Sequence, residues 1–131
     1  MTHVLLIGNG AREHAIAEAI MRSGRNPRLF AYMKANNPGI ASLAKEFRVG
    51  SYNASEAILA FAKDARIEFA VIGPEDPLSH GIVDELAAAG IRAVGPTRVL
   101  ARLETSKSFT RNLLEKYDIP GNPRFRKLYL P

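Results

Sequence analysis

The stretch LLIGNGAREHAIAEAI, from Leu5 to Ile20, joins an apolar strand to a helix through a glycine turn. The residues before Gly8 are all apolar, and apolar or small residues return at helical spacing after Gly10. Two glycines let the backbone turn tightly and bring its N–H groups to an anion at a helix N-terminus. The stretch therefore predicts the first strand–turn–helix unit of an α/β fold.

Strand and helix patterns alternate five times along the chain. The predicted strands are short and apolar, at residues 4–7, 28–33, 47–49, 69–72 and 91–94. We predict helices at 11–23, 54–65, 78–89, 99–103 and 107–117, and a turn at 36–39. Asn53 and Glu56 have the spacing of a capping box for the second helix. Continuous apolar strands favour a parallel sheet covered on both faces, so we expect a doubly wound α/β fold with five strands ordered 3-2-1-4-5.

Composition and charge limit the function classes. Of 131 residues none is cysteine, which excludes a thiolate metal site and agrees with a cytoplasmic location. The apolar runs are too short to cross a membrane, and we expect no membrane partner. The net charge of +5 arises in residues 98–131, where no RNA- or DNA-binding motif accompanies it, so we expect no nucleic-acid partner. We divide the chain into an α/β core (1–97), a basic helical extension (98–120) and a linker (121–131).

The expected strand order brings two loops to one crevice. Ligands of such sheets bind beyond the carboxyl ends of the strands, where the winding reverses. Here that point lies between the first and fourth strands, so loops 8–14 and 73–80 meet there. The planar fork of Arg12 suits a phosphate, and Glu13 and Glu75 suit a sugar hydroxyl or an amine. For Asp76 or Ser79 we expect a helix-capping role instead.

The glycine loop departs from the dinucleotide-binding pattern in two places. The third glycine of G-x-G-x-x-G would stand at position 13, which is Glu13. The second predicted strand ends in Tyr32-Met33-Lys34, where NAD binding calls for an acidic residue. An NAD-binding domain therefore remains only a minor alternative. A second alternative is that Gly8–Gly10 is merely a tight turn, with the charged residues after it solvated.

Four segments together resemble a known family over residues 3–120: VLLIGNGAREHAIAEAI, NPGIA, VIGPEDPLSHGIVDELAAAGIRAVGPT and LETSKSFTRNLLEKYDIP. They are similar to the N-terminal portion of the phosphoribosylamine–glycine ligases of the ATP-grasp superfamily. The resemblance implies a Rossmann-like domain of the pre-ATP-grasp type. It also implies a nucleotide-binding role for Lys107 and substrate-binding roles for six residues: Gly8, Asn9, Gly10, Arg12, Glu13 and Glu75. The family's loop usually reads Gly-Ser-Gly-Gly-Arg-Glu-His-Ala, so Asn9 and Ala11 are departures from it.

The family's reaction is the joining of glycine to 5-phosphoribosylamine in purine biosynthesis, through glycyl phosphate, with release of ADP and phosphate. The resemblance implies ATP and Mg²⁺, or Mn²⁺, as cofactors of an intact enzyme whose C-terminal domains supply the catalytic residues and metal ligands. We therefore expect no catalytic or metal-binding residue in this chain, no cofactor bound by it alone, and no ligase activity from it alone. A non-catalytic sugar-phosphate-binding module and a related carboxylate–amine ligase stay open as alternatives.

Overall fold

A five-stranded parallel sheet forms the centre of the molecule. The computed structural model describes residues 1–126 and residue 128. The strands are β1 (His3–Ile7), β2 (Arg28–Met33), β3 (Glu46–Val49), β4 (Phe69–Ile72) and β5 (Arg92–Val94). They are ordered β3-β2-β1-β4-β5, and each neighbouring pair is parallel. The predicted fold class and strand order are confirmed.

Helices cover the sheet on both faces. They are α1 (Ala11–Met21), α2 (Pro38–Leu43), α3 (Ser55–Asp64), α4 (Glu75–Ser79), α5 (Ile82–Ala88), α6 (Arg98–Thr105) and α7 (Lys107–Lys116). Side chains of a strand point alternately to opposite faces, so β1 contributes to two cores. Leu6 packs with Ala17 of α1 and Ile40 of α2, whereas Leu5 and Ile7 pack with residues of α3 and α5. This burial on both faces explains the unbroken apolar pattern of β1.

Two local predictions near the second and third strands are wrong. The predicted turn at 36–39 is the start of α2, because the Asn37 side chain accepts hydrogen bonds from the N–H groups of Gly39 (3.0 Å) and Ile40 (3.2 Å). A proline in the first turn suits this start, since the first N–H groups of a helix have no partner within it. The capping box at Asn53 does not form: Ala54 precedes α3, and the Asn53 side chain accepts from Ser51 instead.

The predicted helix at 78–89 is two helices. Gly81 separates α4 from α5 with a φ of +82°, in the left-handed region that glycine adopts without strain. The capping prediction for Asp76 and Ser79 is also wrong. Asp76 lies within the first turn of α4, and Ser79 donates to the backbone oxygen of Asp76 (2.7 Å) rather than capping a helix.

The two C-terminal helices extend from the core. Ala101 of α6 is buried against the core, and the N–H of Arg98 donates to the Asp84 carboxylate (2.8 Å). Ser106 caps α7 through the N–H of Phe109 (3.3 Å). Residues 127 and 129–131 of the predicted linker lie outside the described residues, and the predicted domain boundaries stay predictions. Within the described part of the chain, no helix is long and apolar enough to cross a membrane.

Candidate functional site

Three loops meet at the carboxyl edge of the sheet, beyond β2, β1 and β4. The last residue of β1, Ile7, is in register with Tyr32 of β2 and Ile72 of β4. The backbone continues this pairing past the strands: Gly8 N–H donates to the Tyr32 carbonyl (3.0 Å), and Gly73 N–H donates to the Ile7 carbonyl (2.9 Å). The structure thus brings loops 8–14 and 73–80 side by side, as the strand order requires.

The Glu13 side chain fills the space between these two loops. It is only 5% exposed, and its Oε2 accepts a hydrogen bond from the N–H of Gly10 (2.7 Å). A Cβ atom on Gly8 or on Gly73 would overlap its Cγ, so both loops approach the glutamate closely because they carry glycine there. Gly8 also has a φ of +142°, which other residues rarely adopt. In a dinucleotide-binding turn a third glycine at this position lets the helix pack closely on the strand. Here the Glu13 side chain fills that space instead.

Arg12 ties the two loops together across the crevice. Its Nε donates to Oε1 of Glu13 (2.9 Å), and its Nη2 donates to the backbone oxygen of Gly73 (2.6 Å). The hydrogen bond that Arg12 donates to Glu13, together with the charge of that carboxylate, raises the pKa of Arg12; Glu75 and Glu104 add to the effect. The side chain is nonetheless 60% exposed, so one face of it borders the crevice.

Asn9 links the glycine loop to the strand beside it. Its side-chain oxygen accepts from the Tyr52 hydroxyl (2.5 Å) and from the N–H of Lys34 (3.3 Å). Its backbone oxygen accepts from the Asn37 side chain (3.0 Å). Burial is the main cause that raises the pKa of Tyr52. Asn9 thus uses its oxygens within the protein, and the departure at Ala11 needs no special backbone because that residue begins α1.

The rim of the crevice carries charges of both signs. Lys34, which follows β2, places its Nζ 3.4 Å from Oδ2 of Asp76 in α4. Both side chains are about half exposed, at 61% and 45%. Glu75, at the start of α4, is also exposed. The crevice therefore offers an exposed cation, two exposed carboxylates and a glycine loop held rigidly beneath them.

Sequence comparison assigns the chain to a family. Residues 2–104 match the family described as "Phosphoribosylglycinamide synthetase, N domain". The chain belongs to this family. The "Phosphoribosylamine--glycine ligase" of Methanopyrus kandleri is 50% identical over 126 residues, which are 95% of this chain and 28% of that relative. The chain thus spans less than a third of the length of this curated relative, and the predicted resemblance is confirmed.

Solved structures agree with the fold of this chain. The phosphoribosylglycinamide synthetase from Anaerococcus prevotii has a TM-score of 0.68 at 15% identity, covering 89% of this chain and 29% of that one. The N5-carboxyaminoimidazole synthetase from Staphylococcus aureus complexed with ADP has a TM-score of 0.70 at 11% identity, covering 88% and 30%. At these identities the likeness concerns the fold alone. It places the five-stranded domain inside enzymes about three times as long.

Lys107 lies at a separate cavity rather than among the loops of the crevice. It is the first residue of α7, and it is exposed. The cavity has a volume of about 500 Å³, and its lining residues come from α7 and the segment that follows it: Lys107, Ser108, Arg111, Asn112, Phe125, Arg126 and Leu128. Arg111 donates to the Asn122 side chain (3.1 Å), which holds that segment along the helix. The cavity is rich in positive charge, which suits an anion.

The described part of the chain has no cluster of metal-binding side chains. Among residues 1–126 and 128, no three acidic, histidine or cysteine side chains come close enough together to hold a metal ion.

Three features of the crevice were missed by sequence reasoning. Tyr52 was not singled out, and Lys34 counted only as an argument against NAD. The burial of Glu13 was also missed, although Gly10 and Glu13 stand at the spacing of a capping box, and the structure forms its carboxylate-to-N–H half. That spacing is a signal that sequence reasoning could have used.

Proposed function

We propose that this chain is the N-terminal, substrate-binding part of an ATP-dependent ligase that joins glycine to 5-phosphoribosylamine. The observation that carries the proposal is the crevice, where a rigid glycine loop lies beside exposed groups of both charges. A phosphorylated sugar amine needs such a surface, because it carries an anionic end, neutral hydroxyls and a basic nitrogen. Family membership and the name of the Methanopyrus kandleri relative support the same substrate.

The residues of the crevice divide into two groups in this proposal. Gly8, Asn9 and Gly10 form the floor on which the sugar phosphate lies, and the exposed carboxylate of Glu75 faces the sugar hydroxyls or the amine. Arg12 borders the substrate with its exposed face. Glu13 supports the loops rather than contacting the substrate, since its carboxylate already accepts hydrogen bonds from Gly10 and Arg12. Preorganised donors and acceptors of this kind contribute to catalysis mainly by holding a reactant in place.

In the intact ligase, ATP phosphorylates the carboxylate of glycine, and the amine nitrogen then attacks the carbonyl carbon. Phosphate leaves, and the amide and ADP remain. We assign this chain the positioning of the amine, and we assign Lys107 to the nucleotide phosphates. The described residues contribute no cluster of metal ligands to these steps. The catalytic and metal-binding groups belong, in this proposal, to the longer part of the enzyme that relatives have beyond the matched segment.

The geometry of the crevice gives little support to two alternatives, an NAD-binding domain and a non-catalytic sugar-phosphate-binding module. In a dinucleotide-binding turn the pyrophosphate lies at the start of the helix, whereas the buried Glu13 carboxylate lies there in this chain and accepts from the Gly10 N–H. A non-catalytic sugar-phosphate module would use the same crevice, so binding alone does not separate it from the ligase.

A cytoplasmic location remains part of the proposal.

A chimaera separates the ligase from the binding module. These 131 residues replace the matching segment of the Methanopyrus kandleri relative, and formation of ADP is measured with ATP, Mg²⁺, glycine and phosphoribosylamine. We expect ADP formation that depends on both substrates, and none from the 131-residue chain alone. A folded chimaera that forms no ADP, while the parent enzyme does, would contradict the ligase assignment.

A further inference from the structure

One donor of the glycine turn is already occupied in this chain. In such a turn the N–H groups at the helix start face the phosphate. Here the N–H of Gly10, the residue before α1, donates to Glu13 at 2.7 Å. The buried Glu13 carboxylate thus lies at the start of α1, and a positive side chain nearby would favour a phosphate at this loop.

Arg12 is committed to the protein. Its Nε donates to Glu13, and its Nη2 donates to the backbone oxygen of Gly73. Turning the guanidinium toward a phosphate would break the bonds that join the two loops, and would leave the buried Glu13 carboxylate without its cation. The loss of a partner by a buried charge is costly. Arg12 thus fits the role of positioning the two loops better than the role of binding the phosphate.

Lys34 is under no such constraint. Its contact with Asp76 is a single ion pair at 3.4 Å between two half-exposed side chains, and such pairs contribute little to stability. A sugar phosphate carries nearly two negative charges at neutral pH and three acceptor oxygens, so it competes well with one carboxylate. Asp76 keeps a neighbour after the exchange, because Nδ1 of His80 lies 3.5 Å from its other carboxylate oxygen.

The ion pair also lies in the right place. Lys34 follows β2 and Asp76 lies beyond β4, and these strands flank β1 on its two sides. Two strand spacings separate them, about 10 Å, so the pair spans the crevice above the Gly8 loop. The Lys34 N–H is fixed to the Asn9 side chain, which keeps the ammonium at this edge of the sheet.

We propose that Lys34 binds the phosphate group of the sugar phosphate, exchanging Asp76 for it. The inference rests on the proposed function and adds the residue that recognises the phosphate. The Lys34–Asp76 pair is then the contact that the phosphate displaces.

Calorimetric titration of the chain with ribose 5-phosphate, and with unphosphorylated ribose, tests this assignment. Lys34→Gln is expected to weaken ribose 5-phosphate binding between about tenfold and a hundredfold, the weight of a hydrogen bond to a charged group, without changing ribose binding. Asp76→Asn, which frees the ammonium, is expected to tighten ribose 5-phosphate binding. Lys63→Gln on the exposed end of α3 removes the same net charge far from the loops and serves as the control.

The outcomes distinguish this inference from the proposed function. If the unaltered chain binds ribose 5-phosphate and Lys34→Gln binds it equally well, the phosphate assignment is wrong and the crevice remains a sugar-phosphate site. If Asp76→Asn weakens binding as much as Lys34→Gln, the pair has a structural role only, and the assignment again falls. If the unaltered chain binds no ribose 5-phosphate, both proposals are contradicted.

Discussion

The substitution Glu13→Gln removes the charge of the buried side chain and keeps its shape. The carboxylate accepts from two N–H donors, Gly10 through Oε2 and Arg12 through Oε1. A glutamine has one oxygen, so it can serve only one of these donors, and its own NH₂ group then faces the other. The variant therefore tests whether this carboxylate holds the loops of the crevice together.

The expected cost follows from the burial of the bond to Gly10. A hydrogen bond to a charged group contributes about 1.5–3 kcal/mol, whereas the Arg12 side of the pair is exposed and screened and adds little. We expect the free energy of unfolding to fall by about 2 kcal/mol. For a chain of this length the melting temperature then falls by about 6–10 °C, at roughly 3–5 °C per kcal/mol.

Urea denaturation followed by circular dichroism gives this free energy directly. Glu18→Gln is the matched control, because Glu18 lies on the same helix, is half exposed and makes only long contacts with His14 (3.8 Å) and Arg22 (3.7 Å). It should cost no more than about 0.5 kcal/mol. Equal stability of the two variants would refute the reasoning, because the buried carboxylate would then contribute no more than a surface one.

Three further predictions concern Gly73, Asn37 and Tyr52. Gly73→Ala places a Cβ against the Glu13 side chain. Urea denaturation should show that the free energy of unfolding falls by about 1–3 kcal/mol, and by less in a Glu13→Ala background, where the overlap is removed. An equal fall in both backgrounds would contradict the overlap. Asn37→Ala removes the cap of α2 and the hydrogen bond to Asn9. The same assay should show that the free energy of unfolding falls by about 0.5–2 kcal/mol. An unchanged free energy would contradict the capping role. Burial raises the pKa of Tyr52 in the folded protein. The stability that this shift contributes is therefore fully present below about pH 10 and is lost as the pH rises through the raised pKa of the folded state. Tyr52→Phe should therefore show a shallower fall of unfolding free energy in that alkaline range, and an equal fall would contradict this.

The central strands β1, β2 and β4 were predictable because they are largely buried on both faces, whereas the edge strands β3 and β5 are mostly exposed. Unbroken apolar runs identify such strands without any tertiary information, and the bounds of β2 and β4 are the predicted ones. At β1, β3 and β5 the observed bounds differ from the predicted ones by one residue, the usual disagreement at strand ends.

The helix boundaries were less predictable, because one residue type serves several local structures. Asn37-Pro38 starts a turn or caps a helix with equal ease, and only the packing of Ile40 against the core decides for α2. The helical pattern continues from Leu78 to Ala89, and the break comes from the left-handed backbone of Gly81. A glycine inside a helical pattern does not reveal its φ.

The charged residues of the crevice depended most on tertiary structure. The predicted strand order brought Arg12, Glu13 and Glu75 to one edge of the sheet, but it gave no information on their partners. Glu13 is buried because Gly8 and Gly73 both approach it, and those glycines are 65 residues apart in the sequence. Long-range pairs of this kind leave no periodic signal in a single sequence.

The central claim is that the carboxyl edge of the sheet binds a phosphorylated ribose. The most direct measurement is a titration of the ¹⁵N-labelled chain with ribose 5-phosphate, followed by the shifts of its backbone amides. The account predicts saturable shifts confined to the crevice, at Asn9, Gly10, Lys34, Glu75 and Asp76. Shifts confined to the cavity beside Lys107, or no shifts at millimolar ribose 5-phosphate, would contradict it.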